Sequence, residues 1–466
     1  MFVTRLHGPG NILLNLVNHA HTKDYKRTTP LSRWANGSTI RRTSCSLLRP
    51  IPEQHYPVNY ESSSKFEGPL MLLKNRLFTP GPTPLLPAAQ TAMASYFMHH
   101  RTADFRALYS RVLSDMKDFI GTQNDVLVLA ASGTGVMEGA VSNLTSPGDR
   151  VLVLTAGKFG ERWRDLARAF GCEVELVSAP YGETFSMDEV RQKLSSQIGA
   201  VYVQATESST GARHDIEAIA KLVRKSGEDS LLIVDAITGL GTTHLDVDGW
   251  GIDVIIGGSQ KALMIPPGLA YCALSQRAWK RMESARSPRF YFDFRKERKA
   301  AAKGESAYTP ATSLFAALGA ALDFVRQMGA GDLTAGRDAL VKNAELASAM
   351  TRAGVQALGL RLFAPAAPAS ALTAVHSPTG FDSGVLIKEF RDRFSAVVAN
   401  GQGDQMKGEL FRIAHIGYYD YIDTIGILAA LEQVLANVTG KPVEFGAAVR
   451  AAQEVYSGSL ANAVRA

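Results

Sequence analysis

From residue 80 onward, short β-branched apolar runs alternate with stretches of helical length whose apolar residues recur at three- and four-residue steps. The runs predict strands over residues 126–130, 151–155, 174–177, 201–205, 231–235, 254–257 and 269–274. The stretches 161–170, 187–194 and 216–225 predict helices between them. Strands that alternate with helices in this way are the signature of an α/β fold, a parallel sheet with crossover helices. After residue 314 the pattern changes to long helices. A mixed segment with candidate strands at 360–363, 372–375 and 411–416 follows, and predicts a second, smaller α+β domain.

The chain of 466 residues, 46% apolar and 20% charged, is long enough to bury a large core and more than one domain. Its apolar runs fall far short of the roughly 20 residues that cross a bilayer, so no membrane partner is expected. The net charge of +6 is unevenly placed. Residues 1–70 hold nine Lys or Arg against four acids, which leaves 41 against 40 in the rest. The body is therefore nearly neutral, and nucleic acid is not an expected partner. The first 70 residues are rich in Pro, Ser, Thr, Asn and Arg, with Asp24 the only acid before Glu53. Such a basic extension reads as a mitochondrial targeting segment, or as a disordered arm or over-extended reading frame with Met71 the true start. An RNA-contacting tail is a third reading, weakened by the lack of interleaved stacking aromatics. The C-terminal Val464-Arg465-Ala466 is not a peroxisomal SKL-type signal. The cytoplasm is the expected compartment unless the extension targets the chain to mitochondria. Cys45, Cys172 and Cys272 are widely spaced and odd in number, so neither a disulfide framework nor a metal site is expected.

Three pieces carry candidate chemistry. Ser132-Gly133-Thr134-Gly135 follows a strand and opens a helix, whose free N–H groups and dipole attract an anion such as phosphate. The same turn has a GxGxxxG spacing with Gly139, the mark of a dinucleotide site, but the next strand ends in Ala156-Gly157-Lys158 with no acid for a ribose. Asp235 closes the apolar run Leu231-Leu232-Ile233-Val234, and a carboxylate buried there needs a cationic partner. Lys261 follows 26 residues later in Gly257-Gly258-Ser259-Gln260-Lys261, just past another strand. Each piece alone has a plain structural reading as a turn, a cap or a solvated loop lysine. Together they supply what pyridoxal phosphate requires: an anion site, an acid for its ring nitrogen and an amine for a Schiff base.

An ordered set of stretches then carries a resemblance over nearly everything after Leu77. It runs through Phe78-Thr79-Pro80-Gly81-Pro82-Thr83, Gly157-Lys158-Phe159-Gly160-Glu161-Arg162-Trp163 and Glu207-Ser208-Ser209-Thr210-Gly211. Val234-Asp235, Gly258-Ser259-Gln260-Lys261-Ala262-Leu263 and Tyr308-Thr309-Pro310-Ala311-Thr312 complete it. The chain resembles the class V aminotransferases of the serine-pyruvate and alanine-glyoxylate kind. That likeness implies a fold type I transferase dependent on pyridoxal 5′-phosphate, with a mostly parallel seven-stranded sheet and a smaller C-terminal α+β domain. The expected division is an extension at 1–70, a large cofactor-binding domain at 71–330 and a small domain at 331–466.

Carried over by position, the resemblance implies that Lys261 forms the Schiff base and shuttles the proton, while Asp235 pairs with the pyridine nitrogen. Phe159 and Ile237 would cover the two faces of the cofactor ring, and Ser208 would bond its phenolic oxygen. Ser132, Gly133, Thr134 and Gln260 would hold the phosphate, completed by Tyr308 or Thr309 from a neighbouring subunit, which implies a homodimer with shared active sites. Gly81 would bring backbone close to the substrate, and Arg412 would bind its α-carboxylate. The implied reaction is a ping-pong transamination between alanine or serine and glyoxylate or pyruvate. The alternatives are a lyase on the same fold or a nucleotide-binding protein. A desulfurase would need a cysteine in the C-terminal domain, and all three precede residue 273. One departure stands out. The segment Tyr291 to Lys299 is more charged than a small-substrate pocket leads one to expect.

Overall fold

A computed structural model describes residues 72–95, 98–227 and 229–465. The basic extension, with Cys45 and the targeting readings, lies outside the described residues. The strands are β1 (Arg76–Phe78), β2 (Asp125–Ala131), β3 (Arg150–Thr155), β4 (Glu173–Ser178), β5 (Ala200–Gln204), β6 (Thr206–Glu207), β7 (Ala212–Arg213) and β8 (Leu231–Asp235). They continue with β9 (Val254–Gly258), β10 (Gly268–Leu274), β11 (Leu372–His376), β12 (Ala396–Asn400) and β13 (Leu410–Ala414).

Seven of these form one sheet in the order β2-β10-β9-β8-β5-β3-β4. Pairs from β4 to β9 are parallel, and β10 alone runs against its neighbours β9 and β2. The mostly parallel seven-stranded sheet thus matches the expectation. Apart from the edge strand β4, its strands are apolar on consecutive positions because both faces are covered. Val201, Val203, Leu232, Val234 and Ile255 point into one core, shared with Phe105, Tyr109 and Phe315 from helices Ala103–Ile120 and Thr312–Met328. Tyr202, Ile233, Val254 and Ile256 point into the other, packed with Trp163 and Trp279 from helices Lys158–Ala169 and Gln276–Ser284. Each large apolar side chain so buried contributes about 1.5–3 kcal/mol.

A second sheet has the order β1-β12-β13-β11 and is backed by helices Ser383–Phe394 and Tyr421–Thr439. Helix Tyr421–Thr439 is apolar and long enough to cross a bilayer by composition alone. Here it buries Ile427, Leu428, Leu431, Val434 and Leu435 against the second sheet, as a core helix does.

The C-terminal sheet departs from the sequence pattern in three places. The strand expected at 360–363 is reduced to one bridge, Leu362 to Val375, because the chain bends away toward Pro365 and Pro368. β12 carries no turn signal before it, since Ser395 makes the helix-to-strand switch in the left-handed conformation without a glycine. β1 is three residues long and joins β12 in parallel, so the sheet takes an edge strand from near residue 76.

Candidate functional site

The carboxyl ends of parallel strands are where open α/β sheets place their ligands, and the predicted chemistry collects there. β2 runs into Ser132, whose hydroxyl accepts from Gly135 N at 3.4 Å and caps helix Gly133–Leu144. β3 leads to Phe159, β5 to Ser208, β8 ends in Asp235, and β9 leads to Lys261.

Lys261 is held by a tight loop. Ser259 Oγ donates to Pro266 O at 2.7 Å, Met264 N donates to Lys261 O at 3.0 Å, and Thr83 Oγ1 donates to the same carbonyl at 3.1 Å. The buried Nζ donates to the Pro80 carbonyl. Burial pushes the amine down to about 8, against the pull of Asp235 and helped by the charges of Arg412 and Arg162. Asp235 is pushed up to about 6 by burial, countered by Ile237 N, which donates to it at 2.9 Å, and by Lys261 and Arg162. A buried amine and acid displaced toward each other's neutral forms mark a functional site rather than a stabilising ion pair.

Gly81 packs against the lysine. A Cβ there would lie 2.6 Å from Lys261 Nζ, and the backbone has φ +151°. Gly81→Ala is therefore expected to leave the fold intact yet weaken cofactor uptake by about tenfold or more, measured by absorbance titration of the apoprotein.

Across the anion cradle, Ile237 fills the space where Gly133 lacks a side chain and lies 3.3 Å from the position of a Cβ on Gly258. Gln260 reaches the same place, with its buried Oε1 unpaired in the protein. A buried side-chain amide with a free end, which can turn its NH2 inward, fits a phosphate near the helix N-terminus. Thr134 Oγ1 accepts from Arg162 at 3.0 Å, and the Arg162 guanidinium sits 4.7 Å from the centre of the Phe159 ring. Ser132, Gly133, Thr134, Phe159, Ile237 and Gln260 are thus brought to one place with Asp235 and Lys261.

Arg412 arrives from β13 of the other sheet. Its Nε and Nη2 donate to Asn400 O at 3.0 and 2.6 Å, and Nη1 donates to Ser208 O at 2.7 Å. Burial lowers it to about 10, offset by the charge of Glu207. A buried guanidinium whose hydrogen bonds go to carbonyl oxygens, with no carboxylate in direct ion-pair contact among the described residues, is suited to an incoming carboxylate.

Tyr308, next to Thr309, makes its contacts elsewhere. Tyr308 stacks on Tyr291 with centroids 5.0 Å apart and donates to Phe290 O at 2.9 Å. Around them Phe290 and Tyr291 are exposed aromatics. The charges in this stretch are engaged locally. Arg298 pairs with Asp125 at 2.7 Å, Lys296 lies over Phe290 at 4.3 Å, and Glu297 accepts from Tyr109 Oη and Ala307 N, each at 2.9 Å.

Sequence reasoning overlooked Arg162 and Glu207. Arg162 lies three positions after Phe159, which puts both on one helix face. Glu207 was visible only as the neighbour of Ser208.

Comparison with known proteins agrees with this geometry. The chain is 39% identical over 389 residues to a protein of Anabaena cylindrica described as the soluble hydrogenase 42 kDa subunit, covering 82% of this chain and 99% of that one. It is 32% identical over 400 residues to an L-aspartate–glyoxylate aminotransferase of Paracoccus denitrificans, covering 84% and 99%. The solved alanine–glyoxylate aminotransferase from Nostoc sp. superposes with a TM-score of 0.72 at 29% identity, over 79% of this chain and 97% of that one. The family described as aminotransferase class-V matches residues 77–359. A fold type I sheet, a buried lysine and acid at its edge and a match over most of the chain lead to one conclusion: this protein belongs to the class V aminotransferases, enzymes that depend on pyridoxal phosphate.

Proposed function

We propose that this enzyme moves an amino group from a small amino acid, alanine or serine, to glyoxylate or pyruvate in two half-reactions. The observation that carries the reading is the convergence of Lys261, Asp235 and Arg412, all buried, at one sheet edge. Pyridoxal phosphate, when bound, supplies an electron sink for the pair left behind when the donor Cα loses its proton.

The chain's own residues supply the rest. Lys261 Nζ would take the proton from the donor Cα and deliver it to the cofactor C4′, which needs an amine that loses its charge near neutral pH. Asp235 keeps a proton on the ring nitrogen. Ser132, Gly133, Thr134 and Gln260 hold the phosphate, Phe159 and Ile237 cover the ring faces, and Ser208 bonds its phenolic oxygen. Arg412 grips the α-carboxylate, with Gly81 giving the backbone room beside it. Tyr308 or Thr309 reaches the phosphate site of a second copy, so the working unit is a homodimer. The exposed aromatics beside Tyr308 support that surface as its interface.

Arg162 is already engaged by Thr134 and Phe159, which leaves Arg412 as the cation for one carboxylate and favours monocarboxylic donors. Adding alanine, serine or aspartate alone should bleach the visible band of bound cofactor for the first two, and glyoxylate should restore it. A strong preference for aspartate, or turnover without any oxo-acid acceptor, would overturn the substrate assignment. Arg412→Lys is expected to raise the donor KM by about 10- to 100-fold with a smaller change in kcat, because an ammonium loses the bidentate fork. Steady-state kinetics with alanine checks it.

A further inference from the structure

Helix Lys158–Ala169 carries Phe159, yet it starts after Gly157 and has no cap from its own N-terminal side chain. Its first N–H groups are satisfied from a distant turn. Phe159 N and Gly160 N donate to Glu207 Oε2, each at 3.1 Å, and Lys158 N donates to Ser209 Oγ at 3.1 Å. The other carboxylate oxygen of Glu207 accepts from Ser209 N at 3.1 Å and Ser209 Oγ at 2.5 Å. Glu207 is fully buried, and Gly157 closes on it so tightly that a Cβ would lie 2.5 Å from the carboxyl carbon.

The same turn touches the second half of the site. Arg412 donates to Ser208 O, and the charge of Glu207 acts on Arg412. One turn, Glu207 to Ser209, therefore contacts both the helix that carries Phe159 and the Arg412 guanidinium.

We infer that Glu207 is a positioning residue that couples the Phe159 side of the cofactor site to Arg412, so that cofactor binding and donor carboxylate recognition are set by one buried group. The inference rests on the reading proposed above. Its physical basis is the acceptor count. A carboxylate meets four donors here, whereas a glutamine amide offers one oxygen and turns its NH2 either toward the helix N–H pair or toward Ser209 N, leaving at least one buried N–H without an acceptor. The negative charge at the helix N-terminus is lost as well.

The test compares wild type, Glu207→Gln and Ser209→Ala as purified full chains. Thermal midpoint, pyridoxal phosphate dissociation constant, visible circular dichroism of the bound cofactor and donor KM are read for each. Glu207→Gln is expected to raise both the cofactor dissociation constant and the donor KM by about tenfold and to change the dichroism band. Ser209→Ala should weaken cofactor binding by a smaller factor while the donor KM stays within about twofold, because the charge facing Arg412 remains. A Glu207→Gln enzyme with a lowered midpoint but wild-type dissociation constant, dichroism and KM would show a structural role only and overturn the inference. If Glu207→Gln does not fold, Ser209→Ala decides: an unchanged cofactor constant, or a KM that rises as much as that constant, overturns it. Wild type that takes up no pyridoxal phosphate would instead defeat the underlying reading of the site.

Discussion

Lys261→Ala is expected to lower transamination by about four orders of magnitude or more, since it removes both the covalent attachment point and the proton carrier at Cα. Single-turnover kinetics with alanine, beside an absorbance spectrum, measures it. A variant that keeps even a hundredth of wild-type turnover would assign the chemistry to another residue. The depressed amine makes a second outcome testable in the wild type. Only the uncharged amine attacks a carbonyl, so cofactor uptake by the apoprotein should accelerate about tenfold from pH 7 to pH 9, through the value of about 8. Because folding lowers this group from 10.5, the stability linked to it is present above pH 10.5 and is lost as the pH falls through about 8. A flat uptake profile would mean that Lys261 is not desolvated as the structure shows.

Asp235→Asn should lower kcat by about two to three orders of magnitude, because the ring nitrogen loses the acid that keeps it protonated. The apoprotein should respond in the opposite direction. Burial raises Asp235 from 3.8 to about 6, so the stability tied to its protonated form is present below pH 3.8 and is lost as the pH rises through about 6. Asparagine carries no such charge. At pH 7 the variant apoprotein should be more stable by about 1–2 kcal/mol, with the difference vanishing at pH 4. Denaturant unfolding of both apoproteins at the two pH values decides it. A variant less stable at pH 7 would show that Lys261 and Arg162 stabilise the carboxylate more than burial penalises it. The expected result, a more stable but less active variant, would be a stability–activity trade at a single residue.

Much of the protein was legible because its strands are local signals. β2, β3, β5, β8, β9 and β10 are runs of largely buried apolar residues, since a strand covered on both faces writes itself as a continuous apolar stretch, and the edge strand β4 still shows as Val174, Leu176 and Val177. Ser132 before its glycines, Asp235 at a strand end and Lys261 after one are likewise local patterns, and their order along the chain was enough to point to the cofactor. β12 was missed because Ser395 leaves no glycine or proline to mark the switch from helix Ser383–Phe394 to strand. Arg162 and Glu207 escaped for another reason: their roles lie in partners rather than in position.

Sequence by itself therefore determined the strands of the main sheet, the family and the cofactor it depends on, since these are written in side chains within a few positions of each other. Only the tertiary structure decided which distant groups meet. Lys261 reaches the Pro80 carbonyl across 181 positions and Arg412 reaches Ser208 across 204. Such contacts are set by how two sheets and their loops close on one edge, which long-range packing decides and no local pattern records.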